Sequence, residues 1–337
     1  MERAVYSSLG RPSRKLLVGP GIGLDNGIVS IGKGRVMILT VDPISAIPSF
    51  GMRLSAWLSV HLIASDYTTS GRNPEYATFS YNFPTQMISA DREEYLRSIG
   101  KECRSLRIAI AGGHTGSYPG GGFTVIGAGT MLGFATGGEY VTPSMARVGD
   151  SILMTKHAAI EATGSLALSF PMQLEKKIGR RVTSRACRLL HLCTTVEDAR
   201  TATRVGIGRN GVTSMHDATE GGVLGGLAEM AVASARRFEV DLAKVPVSTE
   251  AMKVCAAFGL DPLATMGEGA LLLTCRPEKV PELGRKMTRA GIPVSQIGIV
   301  KKEGHGLRLY RDGFATAYRP RPDGYWAAYD LAAGGQG

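Results

Sequence analysis

The chain has 337 residues, long enough for two domains with substantial cores. With 44% hydrophobic and 20% charged residues it reads as globular and soluble, which excludes a disordered or fibrous chain. The formal charge, 39 − 29 = +10, suits an anionic small-molecule substrate. The densest basic run, "KKIGRRVTSRACR" (Lys176 to Arg188), has no interleaved aromatic residues for base stacking, so it reads as a solvated helix face and not as a nucleic-acid surface.

Five cysteines form no CxxC pair, and their odd number fits buried thiols in a reducing cytoplasm. The six histidines form no HExxH motif, which argues against a zinc site. No apolar signal-peptide core opens the chain. Residues 108–138 carry no Lys, Arg, Asp or Glu, but glycines and a proline break the stretch into strand-length pieces, which excludes a membrane helix.

In chain order, "RVMILTVDP" (Arg35–Pro43) predicts a strand ending at Asp42. "RLSAWLSVHLIASD" (Arg53–Asp66) has helical apolar spacing, with Trp57, Leu58, Leu62 and Ile63 toward the core and Asp66 at its end. "LRIAIAGGHTG" predicts a strand running into a glycine loop that carries His114, and "FTVIGAGTMLG" a further strand. "RVGDSILMTKHAAIEATGSLAL" restarts the pattern with a turn at Gly149–Asp150, a strand and a helix, which sets a domain boundary near residue 150. A helix over Val196–Val205, a strand "VTSMHDA", a strand "GALLLTC", a helix "VPELGRKMTRAG" and a strand "VSQIGIVKK" follow. Strands and helices mix without the strict βαβ rhythm of a Rossmann sheet, so the expectation is two α+β domains, residues 1–149 and 150–325, with a tail at 326–337.

Two glycine motifs mislead. Gly206-Ile-Gly-Arg-Asn-Gly211 fits GxGxxG but follows a helix and precedes a strand, the reverse of the dinucleotide-binding context. Gly27-Ile-Val-Ser-Ile-Gly32-Lys33 imitates a P-loop, but Gly34 replaces the Ser/Thr that would hold Mg²⁺.

"SMHDATEGGVLGG" (Ser214–Gly226) is richer. Asp217-x-x-Glu220 has capping-box spacing before an apolar helical run. Alternatively, the amides of a Gly221–Gly222 helix start receive phosphate and Asp217 holds the accompanying metal. Three further aspartates stand out by position: Asp25 in the glycine loop "GPGIGLDNGIV", Asp42 at a strand end, and Asp66 at a helix C-terminus, where its charge opposes the dipole. Each has an ordinary structural use; together they are hard oxygen ligands suited to Mg²⁺.

The order GxGxD (Gly21 to Asp25), "TVD", "SD…SG", "GGHT" and "MHDATEGG" resembles the aminoimidazole ribonucleotide (AIR) synthase, or PurM-like, ATP-binding superfamily, from about Gly19 to Ala317. "DATEGGV" and "KHAAIEATGSLAL" are most similar to its HypE-like, AIR synthase-related group. That resemblance implies an α+β chain of two domains, dimerising through a β-barrel-type interface of the N-terminal domain, and ATP and Mg²⁺ as cofactors. It implies that Asp25, Asp42, Asp66 and Asp217 bind metal, with Glu220 nearby. It makes Gly112, Gly113, His114 and Thr115, with Gly221 and Gly222, the phosphate-side residues. His114 and Lys15 are the candidates for a direct part in the chemistry. The activity implied is γ-phosphate transfer to an oxygen or similar nucleophile of a small-molecule or protein-borne substrate. HypE acts on a thiocarboxamide of its own C-terminal cysteine, whereas the last cysteine here is Cys275. A hydrogenase-maturation role would therefore use a partner-supplied cysteine, and a non-catalytic ATP-binding module stays open beside both enzyme readings.

Overall fold

The computed structural model describes residues 2–302 and 304–334, in two compact units, Met1–Pro143 and Ser144–Gly337. The division falls a few residues before the expected boundary near 150. Among the described residues no helix is long and apolar enough to cross a membrane.

The N-terminal unit contains α1 (Glu2–Ser7), β1 (Leu16–Val18), β2 (Gly27–Gly32), β3 (Arg35–Ala46), α2 (Met52–Thr68), β4 (Tyr76–Pro84), α3 (Ser89–Ser105), β5 (Ala109–Tyr118) and β6 (Thr124–Thr136). Six strands form one sheet in the order β1-β2-β3-β6-β4-β5. Lys33 and Gly34 both take positive φ between β2 and β3, the backbone of a tight hairpin, so the P-loop imitation is a turn. Period-2 burial places Val36, Ile38, Thr40, Ile44 and Ala46 of β3 on the face that α2 covers. The opposite face is open and carries exposed Ile31, Val41, Tyr76 and Val125.

Two expectations change here. β3 does not stop at Asp42 but continues to Ala46, with Pro43 paired to Ala128 of β6. Strand β2 pairs with β3 only as far as Leu39, so residues 40–46 form a sheet edge, where a proline is tolerated. "GGHTG" is not a loop: it lies within β5, parallel to β4. A Cβ on Gly113 would sit 2.2 Å from the Phe79 carbonyl oxygen, so this glycine serves a close strand approach and not a turn.

The C-terminal unit contains β7 (Ser151–Thr155), α4 (Ile160–Ser169), α5 (Pro171–Ile178), α6 (Arg180–Leu189), α7 (Val196–Thr203), β8 (Val212–Asp217), α8 (Gly222–Ala233), β9 (Arg237–Asp241), α9 (Thr249–Phe258), β10 (Leu271–Cys275), α10 (Val280–Arg289), β11 (Val294–Lys301), β12 (Gly306–Arg311), β13 (Phe314–Ala317) and α11 (Tyr325–Gly334). Its sheet runs β13-β12-β9-β11-β7-β10-β8, antiparallel except for β12 with β9. Every residue of β7, β8 and β10 is buried. One apolar core joins Ile152, Met154, Leu224, Leu227 and Leu272, so α8 lies against this sheet. A second joins Leu166, Phe170, Leu174, Val254 and Tyr325 from the helices. The expected tail at 326–337 is thus largely helix α11, whose Tyr325 and Ala332 enter that second core; residues 335–337 lie outside the described residues. The basic run falls on α5 and α6, with Lys176, Lys177, Arg180, Arg181 and Arg188 exposed, as a solvated face requires.

Candidate functional site

In the N-terminal unit, hydrogen bonds of neighbouring polar residues stitch together the segments that carry Asp25, Asp42 and Asp66. The Asn26 side-chain amide donates to the Asp66 carbonyl at 2.8 Å and to Thr69 Oγ1 at 2.9 Å. Thr40, two residues before Asp42 on the same face of β3, donates its hydroxyl to the Asp25 carbonyl at 2.8 Å. Asn26 is 5% and Thr40 5% exposed, so these bonds are shielded from water, where losing an acceptor costs most. The loop before β2, the middle of β3 and the last turn of α2 are thereby fixed against one another. Asp66 sits in that last turn, near the negative end of the helix dipole, where a cation offsets the cost of a carboxylate.

The other predicted residues of this unit lie elsewhere. Gly112, Gly113, His114 and Thr115 lie exposed on edge strand β5, and His114 Nε2 is 2.8 Å from the Tyr118 hydroxyl. Lys15 is exposed just ahead of β1, where its carbonyl accepts from the Ser30 amide at 2.7 Å.

In the C-terminal unit Asp217 is the last residue of β8, paired with Leu271 and 0% exposed. It is no helix cap. Helix α8 begins at Gly222 behind a left-handed N-cap, Gly221, with no side-chain cap, so the capping-box reading of Asp217 and Glu220 is corrected; Glu220 is exposed in the intervening turn. The reason is steric. Gly222 has φ 61°, and a Cβ there would lie 2.5 Å from the Thr265 carbonyl oxygen and 3.0 Å from that of Leu263. Only glycines let the chain double back from β8 and press the helix start against residues 263–267.

The same turn alters the phosphate reading of Gly221 and Gly222. The Gly221 amide donates to Asp323 Oδ2 at 2.9 Å, the Gly222 amide to the Thr219 carbonyl at 3.0 Å, and the Leu224 amide to Leu263 at 3.0 Å. Asp323 also accepts from the Thr265 hydroxyl and the Tyr325 amide, each at 2.9 Å. A carboxylate of the chain itself thus faces the positive end of α8. Nothing in the sequence marks Asp323 for this position, 102 residues from Gly221. Asn26 and Thr40 are equally silent, since only their adjacency to Asp25 and Asp42 hints at a supporting part.

A wholly buried carboxylate such as Asp217 is costly unless hydrogen bonds or a cation compensate its charge. Hard carboxylate oxygens, held on short rigid segments, fit the coordination that Mg²⁺ takes from proteins, one or two carboxylates with the remaining positions left for water and phosphate. The residues present therefore suit the metal that the family resemblance implies.

The model of the N-terminal domain of AIR synthase-related proteins matches residues 23–135, and that of their C-terminal domain matches 147–309. The carbamoyl dehydratase HypE of Rhizobium leguminosarum bv. viciae is 28% identical over 261 residues, covering 76% of this chain and 70% of that protein. A hydrogenase expression/formation protein, HupE, of Azotobacter chroococcum is 24% identical over 262 residues, 77% and 73% of the two chains. Among solved structures, HypE of E. coli superposes with a TM-score of 0.72 at 20% identity, over 95% of this chain and 97% of that one. Thiamine monophosphate kinase of Aquifex aeolicus superposes with a TM-score of 0.67 at 18% identity, over 87% and 92%. Both halves of the chain, with their two sheets and the buried aspartate at the end of β8, belong to the AIR synthase-related family, in the PurM-like superfamily that holds HypE and thiamine monophosphate kinase.

Proposed function

We propose that this protein is an ATP- and Mg²⁺-dependent enzyme that transfers the γ-phosphate to an oxygen, or a similar nucleophile, of a small or protein-borne substrate. The observation that carries this reading is the stitching of the Asp25, Asp42 and Asp66 segments by Asn26 and Thr40. Both bonds reach main-chain carbonyls, so they fix where the acid-bearing segments stand and leave the carboxylates themselves for other partners. Relatives supply the nucleotide: one HypE structure is a complex with ATP, and a thiamine monophosphate kinase relative holds AMPPCP and TMP.

In this reading Asp25, Asp42, Asp66 and Asp217 bind Mg²⁺, which neutralises the phosphate charge that builds during transfer. Asn26 and Thr40 hold the backbone that carries the N-terminal acids in place before substrate arrives. Gly112, Gly113, His114 and Thr115 present an exposed strand to the phosphates, with His114 or Lys15 within the chemistry. Because Asp323 already takes the Gly221 amide, the part of Gly221 and Gly222 is to aim Asp217 and α8 rather than to hold phosphate directly. The relation to HypE, one of whose structures is a complex with HypF, favours a protein-borne substrate as the second reading. The open face of the N-terminal sheet, with Val41 and Val125 exposed, favours a homodimer formed through that unit.

Calorimetric titration of ATP with and without Mg²⁺ tests this. Mg²⁺-dependent binding in the wild type that weakens at least about tenfold in both Asp42→Asn and Asp217→Asn supports the reading; a carboxylate ligand lost from a metal site costs on the order of 1.4 kcal/mol or more. Failure of the wild type to bind ATP with Mg²⁺ refutes it. Binding without ADP release across small-molecule and protein fractions identifies a non-catalytic ATP-binding module instead.

A further inference from the structure

His216 has no part in the reaction proposed above, yet its surroundings are built. It precedes Asp217 at the end of β8 and its side chain is 4% exposed. Its Nε2 lies 2.9 Å from Glu229 Oε2 on α8, two turns into the helix. A carboxylate only accepts, so Nε2 donates to Glu229 and Nδ1 is the other ring nitrogen. That nitrogen points to Asp217, 4.0 Å from Oδ1. Gly226 of α8 lies beside the ring, where an added Cβ would come within 3.4 Å of its Cδ2.

A carboxylate that fixes one imidazole nitrogen so that the other faces an acid is the arrangement that orients histidine ligands toward metals. The spacing agrees. Metal–nitrogen and metal–oxygen bonds of about 2.1 Å let two ligand atoms stand up to about 4.2 Å apart, and 4.0 Å falls inside that limit. We propose that His216 Nδ1 is a ligand, beside Asp217, of the divalent cation at the end of β8, held in place by Glu229. This rests on the reading of Asp217 as a metal ligand and adds a nitrogen to an otherwise oxygen-only set. An imidazole ligand favours Mn²⁺ or Co²⁺ over Mg²⁺, because affinity at nitrogen sites rises along the first transition row while Mg²⁺ prefers oxygen. The site that takes Mg²⁺ in the reading above should therefore bind Mn²⁺ more tightly than an all-oxygen set would.

The test is pulsed EPR of Mn²⁺ bound, with ATP, to the full chain carrying ¹⁵N-labelled histidine, so that the adenine nitrogens do not contribute. Expected is a ¹⁵N coupling to the bound Mn²⁺ in the wild type. His216→Gln, whose amide keeps the donor to Glu229 but removes the Nδ1 ligand, should abolish the coupling. It should also lower the ratio of Mn²⁺ to Mg²⁺ affinity by about tenfold. Glu229→Gln, on a residue whose side chain is 36% exposed, leaves the core intact. It should keep the coupling while weakening Mn²⁺ binding, in the roughly 10–100-fold range typical of lost outer-shell partners. Mn²⁺ that binds in an Asp217-dependent way without a ¹⁵N coupling overturns the inference and leaves the ATP–metal reading standing. Failure of Mn²⁺ and Mg²⁺ to bind at all, with ATP present, overturns both.

Discussion

Replacing Gly222 with alanine is the most direct probe of how the turn after β8 is built. Two costs add. At φ 61° a non-glycine residue is in the left-handed region, which costs about 1–2 kcal/mol. The new Cβ would also stand 2.5 Å from the Thr265 carbonyl oxygen and 3.0 Å from that of Leu263, which are backbone atoms that no rotamer change can remove. Overpacking of this kind adds about 1–3 kcal/mol. The sum, about 2–5 kcal/mol, is a large share of the roughly 5–15 kcal/mol that holds a domain folded. Urea unfolding in a Trp57→Phe background, followed by far-UV circular dichroism and by the fluorescence of Trp326, the remaining tryptophan, reports on the C-terminal unit. With a slope of about 2–3 kcal/mol per molar urea, the midpoint should fall by about 1–2 M. Gly284→Ala is the control: it lies inside α10, outside the positive-φ set, with nothing within 4 Å of its Cβ. It should be neutral or stabilising, by up to about 1 kcal/mol. If Gly222→Ala unfolds at the wild-type urea concentration, close packing against residues 263–267 is not what sets the helix start, and the account of this turn is wrong.

Further predictions concern acidity and assembly. His157 is pushed below its ordinary value of 6.5 by burial, against the opposing hydrogen bond to Ala158 and the charge of Glu250. Between that lowered value and 6.5 the unfolded chain binds more protons than the folded one, so stability should fall as pH drops through this window. His157→Gln should flatten that slope in urea midpoints taken at several pH values, and an unchanged slope would show that another group is responsible. Val41 and Val125, 63% and 58% exposed on the open sheet face, should form the centre of a homodimer contact. Light scattering should give twice the chain mass for the wild type and a single-chain mass for Val41→Glu/Val125→Glu; a monomeric wild type at micromolar concentration would count against the dimer.

How far the sequence could be read differs from element to element. Strand β6 follows from local apolar spacing, because it buries alternate residues over much of its length; helix α2 is legible as a helix, but it is enclosed on nearly all sides, with Leu58 and Ile63 buried and the expected core residues Trp57 and Leu62 only half-buried. Strand β5 was opaque because adjacent glycines ordinarily signal a turn, whereas Gly113 is there for contact with the backbone of Phe79, a partner 34 residues away in the chain (113 − 79). The capping spacing of Asp217 and Glu220 misled for a related reason. A cap is decided by where the helix starts, and that start is decided by residues 263–267, far along the chain. The aspartates of the candidate site were legible through the family pattern, but the residues that brace them were not. Asn26 and Thr40 act through bonds to carbonyls, which carry no side-chain signature. His216 stood in the open beside Asp217, and only the fold brings Glu229 to it.

The bond from Gly221 to Asp323 bears on how the protein is made. Helix α8 emerges from the ribosome about a hundred residues before the acid that faces its first amide. During synthesis that end of the helix must stay solvated or borrow another anion, and the Thr265 hydroxyl waits for the same carboxylate. The turn beside Asp217 therefore reaches its final form only after residue 323 has been made and has folded back onto the start of α8. A nascent chain stalled before residue 323 would hold β8 and α8 but not the carboxylate that joins them to its end, and protease cleavage between Glu220 and Gly221 should mark that intermediate.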